Sequence, residues 1–241
     1  MKKSTKILVT IIIFLTVFIS STAMIGIIVQ QKCKVKIEEK VETNKNNTKK
    51  EFKQNENILF LGDSITEIYP IDEIYKNMPV IKSGVSGYKT EDILERAEKM
   101  IYQYNPTKII LLIGTNDIMN SIEDDTIMET VSGIKKISKE INSHRKNAKI
   151  YIESIYPVNR NMKKEMVAAR TNEAIKKLNE KIKIYCEENN ITYINMYDEL
   201  TDEEGNFDEK YTYDGLHPNT LGYAKITRVL IPYIYEDYDM K

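Results

Sequence analysis

Residues 57–66 read Asn-Ile-Leu-Phe-Leu-Gly-Asp-Ser-Ile-Thr, a short apolar run followed at once by a glycine, an acid and a hydroxyl. Four consecutive apolar residues, 58–61, are typical of a strand that is buried on both faces. Gly62 permits a tight path out of that strand, and the N-terminus of the helix that follows favours negative charge. We predict a strand-to-helix turn that presents Ser64 as a nucleophile; the alternative is that Asp63 and Ser64 only cap the helix.

Short apolar runs alternate with longer stretches of helical periodicity through the rest of the chain. The predicted strands are Ile58–Leu61, Val80–Ile81, Ile109–Ile113, Ile150–Ile152 and Ile191–Ile194, and the predicted helices are Thr90–Tyr104, Asp125–Ile141, Lys163–Cys186 and Asn219–Tyr235. A threonine is the predicted cap of the first of these helices. The alternation predicts an α/β fold, with a five-stranded parallel sheet in a three-layer α/β/α domain of flavodoxin-like winding.

The N-terminal segment differs from the rest in composition. Residues 7–29 are uncharged and mostly apolar and follow three lysines. As a helix they extend about 34 Å, enough to span a bilayer. We predict a membrane anchor in 1–29, a polar linker in 30–56 and one extracytoplasmic domain in 57–241. The alternative is a cleaved signal peptide and a secreted protein.

Charge and composition limit the functional classes. The chain has 35 Lys and Arg against 36 Asp and Glu, a formal charge of -1, so no basic field favours nucleic acid. The sequence contains no cluster with metal-ligand spacing and no phosphate-binding or dinucleotide-binding glycine motif. We therefore expect neither a metal nor a cofactor.

Further polar blocks follow the predicted strands. Residues 83–87 read Ser-Gly-Val-Ser-Gly after the second strand, and residues 114–117 read Gly-Thr-Asn-Asp after the third. The carboxyl ends of parallel strands form the edge at which ligands bind. Near the C-terminus, residues 214–218 read Asp-Gly-Leu-His-Pro. A carboxylate three residues before an imidazole can determine the tautomer and orientation of His217.

Together, the blocks at 62–66, 83–87, 114–117 and 214–218 resemble the SGNH, or GDSL-type, hydrolase family, and they span the whole predicted domain. The resemblance implies the SGNH hydrolase fold and a serine esterase without a cofactor. It implies a nucleophile, an orienting carboxylate and a base at Ser64, Asp214 and His217, and an oxyanion hole formed by Ser64, Gly87 and Asn116.

The second block departs from the family pattern. Ser83 stands where many relatives have Asn, and Tyr88 and Lys89 follow the block glycine where many have Asp-Thr. Two other acids adjoin the implied catalytic residues. We predict that Asp63 and Asp117 bond backbone N–H groups rather than take part in the chemistry.

The function predicted from these features is hydrolysis of carboxylic esters of small molecules or polysaccharides. An acetyl group on an envelope or extracellular polysaccharide is the expected substrate. The alternatives are a lysophospholipase or thioesterase, and a binding module that keeps the fold without catalysis. The sequence does not determine the oligomeric state.

Overall fold

The computed structural model describes residues 56–235, and these contain one five-stranded parallel sheet in the order β2-β1-β3-β4-β5. The strands are β1 (Ile58–Gly62), β2 (Val80–Gly84), β3 (Lys108–Leu112), β4 (Lys149–Glu153) and β5 (Thr192–Ile194). The order reverses between β1 and β3, since the chain first moves outward to β2 and then returns across β1. The predicted α/β fold with a five-stranded parallel sheet is confirmed.

Helices cover both faces of the sheet. They are α1 (Ser64–Ile68), α2 (Ile71–Ile74), α3 (Thr90–Glu95), α4 (Ala97–Met100), α5 (Asp124–His144), α6 (Lys164–Val167), α7 (Asn172–Glu188), α8 (Tyr197–Leu200) and α9 (Thr220–Ile234), with 3₁₀ turns at Tyr102–Tyr104 and Glu209–Tyr211. On one face, α5 packs against α3 and α7. The right-handed connection from β1 to β2 puts α1 on the other face, and α9 packs beside it there, since Tyr223 of α9 donates a hydrogen bond to the carbonyl of Ile65.

The central strands are the most buried part of the molecule. Every residue of β1 and β3 is buried, which explains why these strands are continuously apolar instead of alternating. The exception in composition is Lys108, which begins β3 and is 5% exposed. Its ammonium group donates to the carbonyls of Tyr233 and Ile234 and so caps the C-terminus of α9. The sheet is thereby a rigid support for the loops at its carboxyl edge.

The predicted helix Thr90–Tyr104 is wrong as one continuous element, because the chain forms α3, α4 and a 3₁₀ turn there. Arg96 lies between the two helices with φ −115° and ψ 23°, outside helical geometry. The predicted threonine cap is also wrong: Thr90 is the first residue of α3, and its hydroxyl donates to Asp117. Lys89 holds the N-cap position instead, and its backbone N–H donates to the carboxylate of Asp92.

The predicted helix Lys163–Cys186 is likewise divided, into α6 and α7. Ala168 ends α6 with φ +56° and ψ −130°, a conformation that a helix cannot contain. Thr171 then caps α7, since its hydroxyl accepts the N–H of Ala174. The break at 168–171 leaves Arg170 outside both helices.

The predicted anchor in 1–29 and linker in 30–56 lie outside the described residues, apart from Glu56. Within 56–235, no helix is both long enough and apolar enough to span a membrane. The predicted domain boundaries therefore stay predictions.

Candidate active site

Ser64 lies at the carboxyl edge of the sheet, as the first residue of α1 directly after β1. Asp63 caps α1, because its Oδ1 accepts the N–H of Ile65 at 3.0 Å. The cap sets the direction of the short helix and leaves Ser64 9% exposed, at the rim of the site. A hydroxyl held at a helix N-terminus is favourably placed for chemistry in which negative charge develops.

The structure brings the C-terminal block to this serine across 153 residues of sequence. The Oγ of Ser64 and the Nε2 of His217 are 3.0 Å apart. On the other side of the ring, Nδ1 of His217 is 2.9 Å from Oδ2 of Asp214. The side chains of His217 and Asp214 are 15% and 13% exposed, so both are largely shielded from solvent. The three groups form a continuous chain from hydroxyl to carboxylate.

Asp214 is oriented by the backbone that follows it. Its Oδ1 accepts the N–H groups of Leu216 at 3.0 Å and of His217 at 2.8 Å. Burial opposes ionisation of Asp214, but these hydrogen bonds, with the one from the His217 ring, outweigh it and hold the pKa of the carboxyl below its usual range. An ionised Asp214 accepts a hydrogen bond from Nδ1–H, which leaves Nε2 unprotonated as the acceptor facing Ser64.

The loop after β2 carries the second sequence block and is joined to α1. The carboxylate of Glu67, one helical turn after Ser64, accepts both the backbone N–H and the hydroxyl of Ser86. Gly87 follows with φ +81° and open space where a side chain would begin. A positive φ favours glycine, although no neighbouring atom would clash with a side chain at this position. Glu67 therefore couples the position of the Gly87 loop to the helix that carries Ser64.

The loop after β3 supplies Asn116, which is 7% exposed. Its Nδ2 donates to the carbonyl of Tyr88 at 3.0 Å, and its Oδ1 accepts from Arg170 at 3.0 Å. The adjacent Asp117 accepts the backbone N–H and the hydroxyl of Thr90. The loops after β2 and β3 are thus bonded to each other at two neighbouring points. Asp117, like Asp63, bonds a backbone N–H, the interaction predicted for both acids.

Sequence reasoning did not identify Arg170 or Glu67. Arg170 stands 54 positions after Asn116 in a stretch that reads as helix, so no local pattern connects the two. Glu67 resembles any acid in a first helical turn.

Arg170 also lies near Asp63: burial raises the pKa of Asp63 to about 7, against the opposing effects of the Ile65 N–H and the charge of Arg170. Among the described residues, Oδ2 of Asp63 has no hydrogen-bond partner.

An open groove of about 400 Å³ lies between α3 and α5. Lys89 and Asp117, which follow Tyr88 and Asn116 in the chain, are among the residues that line it. Most of its other lining side chains are polar or charged, among them Glu91, Thr126, Glu129, Ser132 and Lys136. Within residues 56–235, no group of three or more His, Cys, Asp and Glu side chains is placed to hold a metal ion.

The chain is similar in fold to several proteins of known structure. The chain is 32% identical to a structure from Streptococcus pneumonia whose name refers to platelet activating factor, with a TM-score of 0.68 over 83% of this chain and 94% of the other. An acetylxylan esterase, Axe2 of Geobacillus stearothermophilus, has 16% identity and a TM-score of 0.57 over 77% of this chain and 96% of that one.

A curated relative is longer than this chain. The N-acylneuraminate cytidylyltransferase of Escherichia coli O18:K1:H7 (strain RS218 / NMEC) is 28% identical over 206 residues, which are 83% of this chain and 46% of the relative. The chain thus spans about half the length of that protein. The sequence profile of the GDSL-like Lipase/Acylhydrolase family matches residues 60–225, from within β1 to within α9. This chain therefore belongs to the GDSL-like lipase/acylhydrolase family.

Proposed function

We propose that the chain is a serine esterase that works by a Ser-His-Asp mechanism, with Ser64 as nucleophile, His217 as general base and Asp214 as the carboxylate that orients it. The single observation that carries the proposal is the unbroken chain of hydrogen bonds, 3.0 Å from Ser64 to His217 and 2.9 Å from His217 to Asp214. A nucleophile, a base within reach of it and a group that orients the base are the signature of this chemistry.

In the first step, Oγ of Ser64 attacks the carbonyl carbon of the ester while Nε2 of His217 takes the hydroxyl proton. The oxygen of the tetrahedral intermediate becomes an anion, and its stabilisers are the backbone N–H groups of Ser64 and Gly87 and the amide of Asn116. The imidazolium then gives its proton to the departing alcohol, which leaves an acyl-serine. Water, deprotonated by His217, attacks the acyl-serine; the bond to Oγ of Ser64 then breaks, the imidazolium returns its proton to Oγ, and the acid is released. Asp214 stays ionised and stabilises the imidazolium in both halves.

The test is turnover of p-nitrophenyl acetate by the full-length protein and its Ser64→Ala and His217→Ala variants. We expect both changes to lower kcat by at least about 10⁴-fold, since a triad fails as a unit. Ser143→Ala and His144→Ala are matched controls, because both residues are exposed at the end of α5. Ser64→Ala or His217→Ala with wild-type turnover refutes the mechanism, and a folded but inactive wild type favours the binding module.

For the substrate, we propose a small acyl group, acetyl, on a polysaccharide. Two observations support it: the fold is shared with an acetylxylan esterase, and the groove between α3 and α5, which Asp117 lines, has mostly polar and charged side chains, which suit a carbohydrate better than a lipid chain. The test compares p-nitrophenyl esters from acetate to dodecanoate and measures acetate release from acetylated xylan. A rise of kcat/KM with chain length favours a lysophospholipase or thioesterase instead.

For location, we propose that residues 7–29 anchor the enzyme in a membrane with the catalytic domain outside the cytoplasm. The support is the uncharged apolar run behind three lysines. We expect the full-length chain in the membrane fraction after a high-salt wash, and degradation of its domain when intact cells are treated with protease. A shortened, soluble chain in the medium indicates signal cleavage, and a protease-protected domain refutes the proposed orientation.

A further inference from the structure

Arg170 is a buried arginine that the mechanism above does not use. It lies in the break between α6 and α7 and is 1% exposed. Burial lowers the pKa of Arg170 to about 10, against the opposing charge of Asp63. Burying a charge costs free energy unless the charged group is fully hydrogen-bonded. The acceptors around Arg170 therefore indicate its role.

Every nitrogen of the guanidinium group is bonded. Nη1 donates to the carbonyls of Met166 and Val167 at 3.2 and 3.1 Å, which are the contacts of its own segment. The other two nitrogens cross to the loop after β3. Nε donates to the carbonyl of Thr115 at 2.7 Å, and Nη2 donates to Oδ1 of Asn116 at 3.0 Å. The rigid, planar guanidinium group therefore bonds both the backbone and a side chain of this loop.

These contacts determine which way the Asn116 amide faces. Oδ1 receives the guanidinium, and one N–H of Nδ2 is used by the carbonyl of Tyr88. A flipped amide would set Nδ2 against the donors of Arg170 and Oδ1 against the Tyr88 carbonyl, so both hydrogen bonds would become repulsive. Nδ2 carries two protons, and the orientation leaves the second one for a ligand. That is the arrangement that an oxyanion donor needs.

We propose that Arg170 is a positioning residue of the oxyanion hole, which holds Asn116 with one amide N–H aimed at the developing oxyanion. The inference rests on the proposed function, since it assigns Arg170 a role through Asn116. A donor fixed before the reaction costs no reorganisation when charge develops, which is why its orientation affects turnover more than substrate binding. Arg170 itself touches no substrate.

The test is a double-mutant cycle that combines Arg170→Lys or Arg170→Gln with Asn116→Ala, assayed on p-nitrophenyl acetate with the full-length protein. Lysine keeps the charge but is a single point donor, which cannot bond the Thr115 carbonyl and the Asn116 amide in the geometry of the fork. Having two substitutions guards against one that fails to fold, and circular dichroism and thermal unfolding identify such a variant. Arg160→Lys is the matched control.

The control arginine belongs to the same segment but not to the site. Arg160 is exposed, and its Nη1 donates to the carbonyls of Ala168 and Arg170 at 2.9 and 2.8 Å. Its replacement removes hydrogen bonds from the break between α6 and α7 without touching Asn116. A general loosening of the segment would therefore affect Arg160→Lys and Arg170→Lys alike.

We expect Arg170→Lys to lower kcat by about 10- to 100-fold, up to the effect of removing one oxyanion donor, with KM changed less than about threefold. In the Asn116→Ala background, the same change should cost less than about twofold, because the group that it positions is gone. Equal losses in both backgrounds overturn the proposal, as does a loss shared by Arg160→Lys. If Ser64→Ala keeps wild-type turnover, the proposed function itself is refuted, and that measurement is made first.

Discussion

Replacing Asp214 with asparagine should invert the tautomer of His217, the proposed general base, without moving the ring. Oδ1 of Asp214 accepts two backbone N–H groups, at 3.0 Å from Leu216 and at 2.8 Å from His217. An asparagine keeps its oxygen there, since the opposite orientation would set its NH₂ against two donors. The NH₂ then occupies the place of Oδ2, 2.9 Å from Nδ1 of His217. Only an unprotonated Nδ1 can accept from it.

The consequence falls on the other ring nitrogen. A neutral imidazole has one proton, so an unprotonated Nδ1 places it on Nε2, which is 3.0 Å from Oγ of Ser64. Nε2 then donates to the hydroxyl and cannot remove its proton. The same exchange in the serine proteases lowers kcat about 10⁴-fold. At 1.36 kcal/mol per decade this is about 5.5 kcal/mol of transition-state stabilisation, and we expect a loss of that size here.

The assay is kcat for p-nitrophenyl acetate between pH 6 and 9, with thermal unfolding to show that the variant is folded. Asp208→Asn is the matched control: Asp208 lies shortly before the same loop and accepts a backbone N–H from Lys210 at 3.1 Å, but it does not contact His217. The control should keep wild-type turnover. An Asp214→Asn enzyme that is folded and retains more than about one tenth of wild-type kcat would falsify the tautomer argument.

Three further predictions concern the scaffold. Gly215→Ala should destabilise the protein by at least about 2 kcal/mol in urea unfolding, because φ is +84° and the new Cβ would lie 2.2 Å from the carbonyl oxygen of Asn159; an unchanged unfolding midpoint contradicts the packing described. Thr171→Ala should cost about 1 kcal/mol through loss of the α7 cap, and Thr171→Ser should recover most of it. Glu153→Gln should remove a pH dependence: burial raises the pKa of Glu153 from 4.5 to about 7. Between these values the folded state holds a proton that the unfolded chain releases, so wild-type stability falls as pH rises through this window. Relative to wild type, the free energy of unfolding of the variant should therefore rise by up to about 3 kcal/mol from pH 4.5 to pH 8. A difference in unfolding free energy that does not change with pH refutes the linkage.

The strands were predictable because each is a local signal. In a parallel sheet covered on both faces, a central strand is a short continuous apolar run, and residues 58–61 show this directly. The helix breaks were not predictable. Ala168 adopts φ +56° and Arg96 leaves helical geometry although both residues are compatible with a helix, so the interruptions come from tertiary contacts. The start of α3 depends on a tertiary contact as well, since the hydroxyl of Thr90 donates to Asp117.

For the candidate site, the sequence alone indicated that Ser64, Gly87 and Asn116 follow strands and so lie at one edge of the sheet, and that Asp214 stands three residues before His217. Strand ends and short motifs are read locally, and parallel strands bring their carboxyl ends to one edge. Only the tertiary structure decided the distances from Ser64 to His217 and from His217 to Asp214. It also decided the contacts of the two supporting residues, Arg170 and Glu67. A guanidinium that reaches Asn116 across 54 residues leaves no periodic or adjacent pattern, because its contact depends on where the chain breaks and turns back.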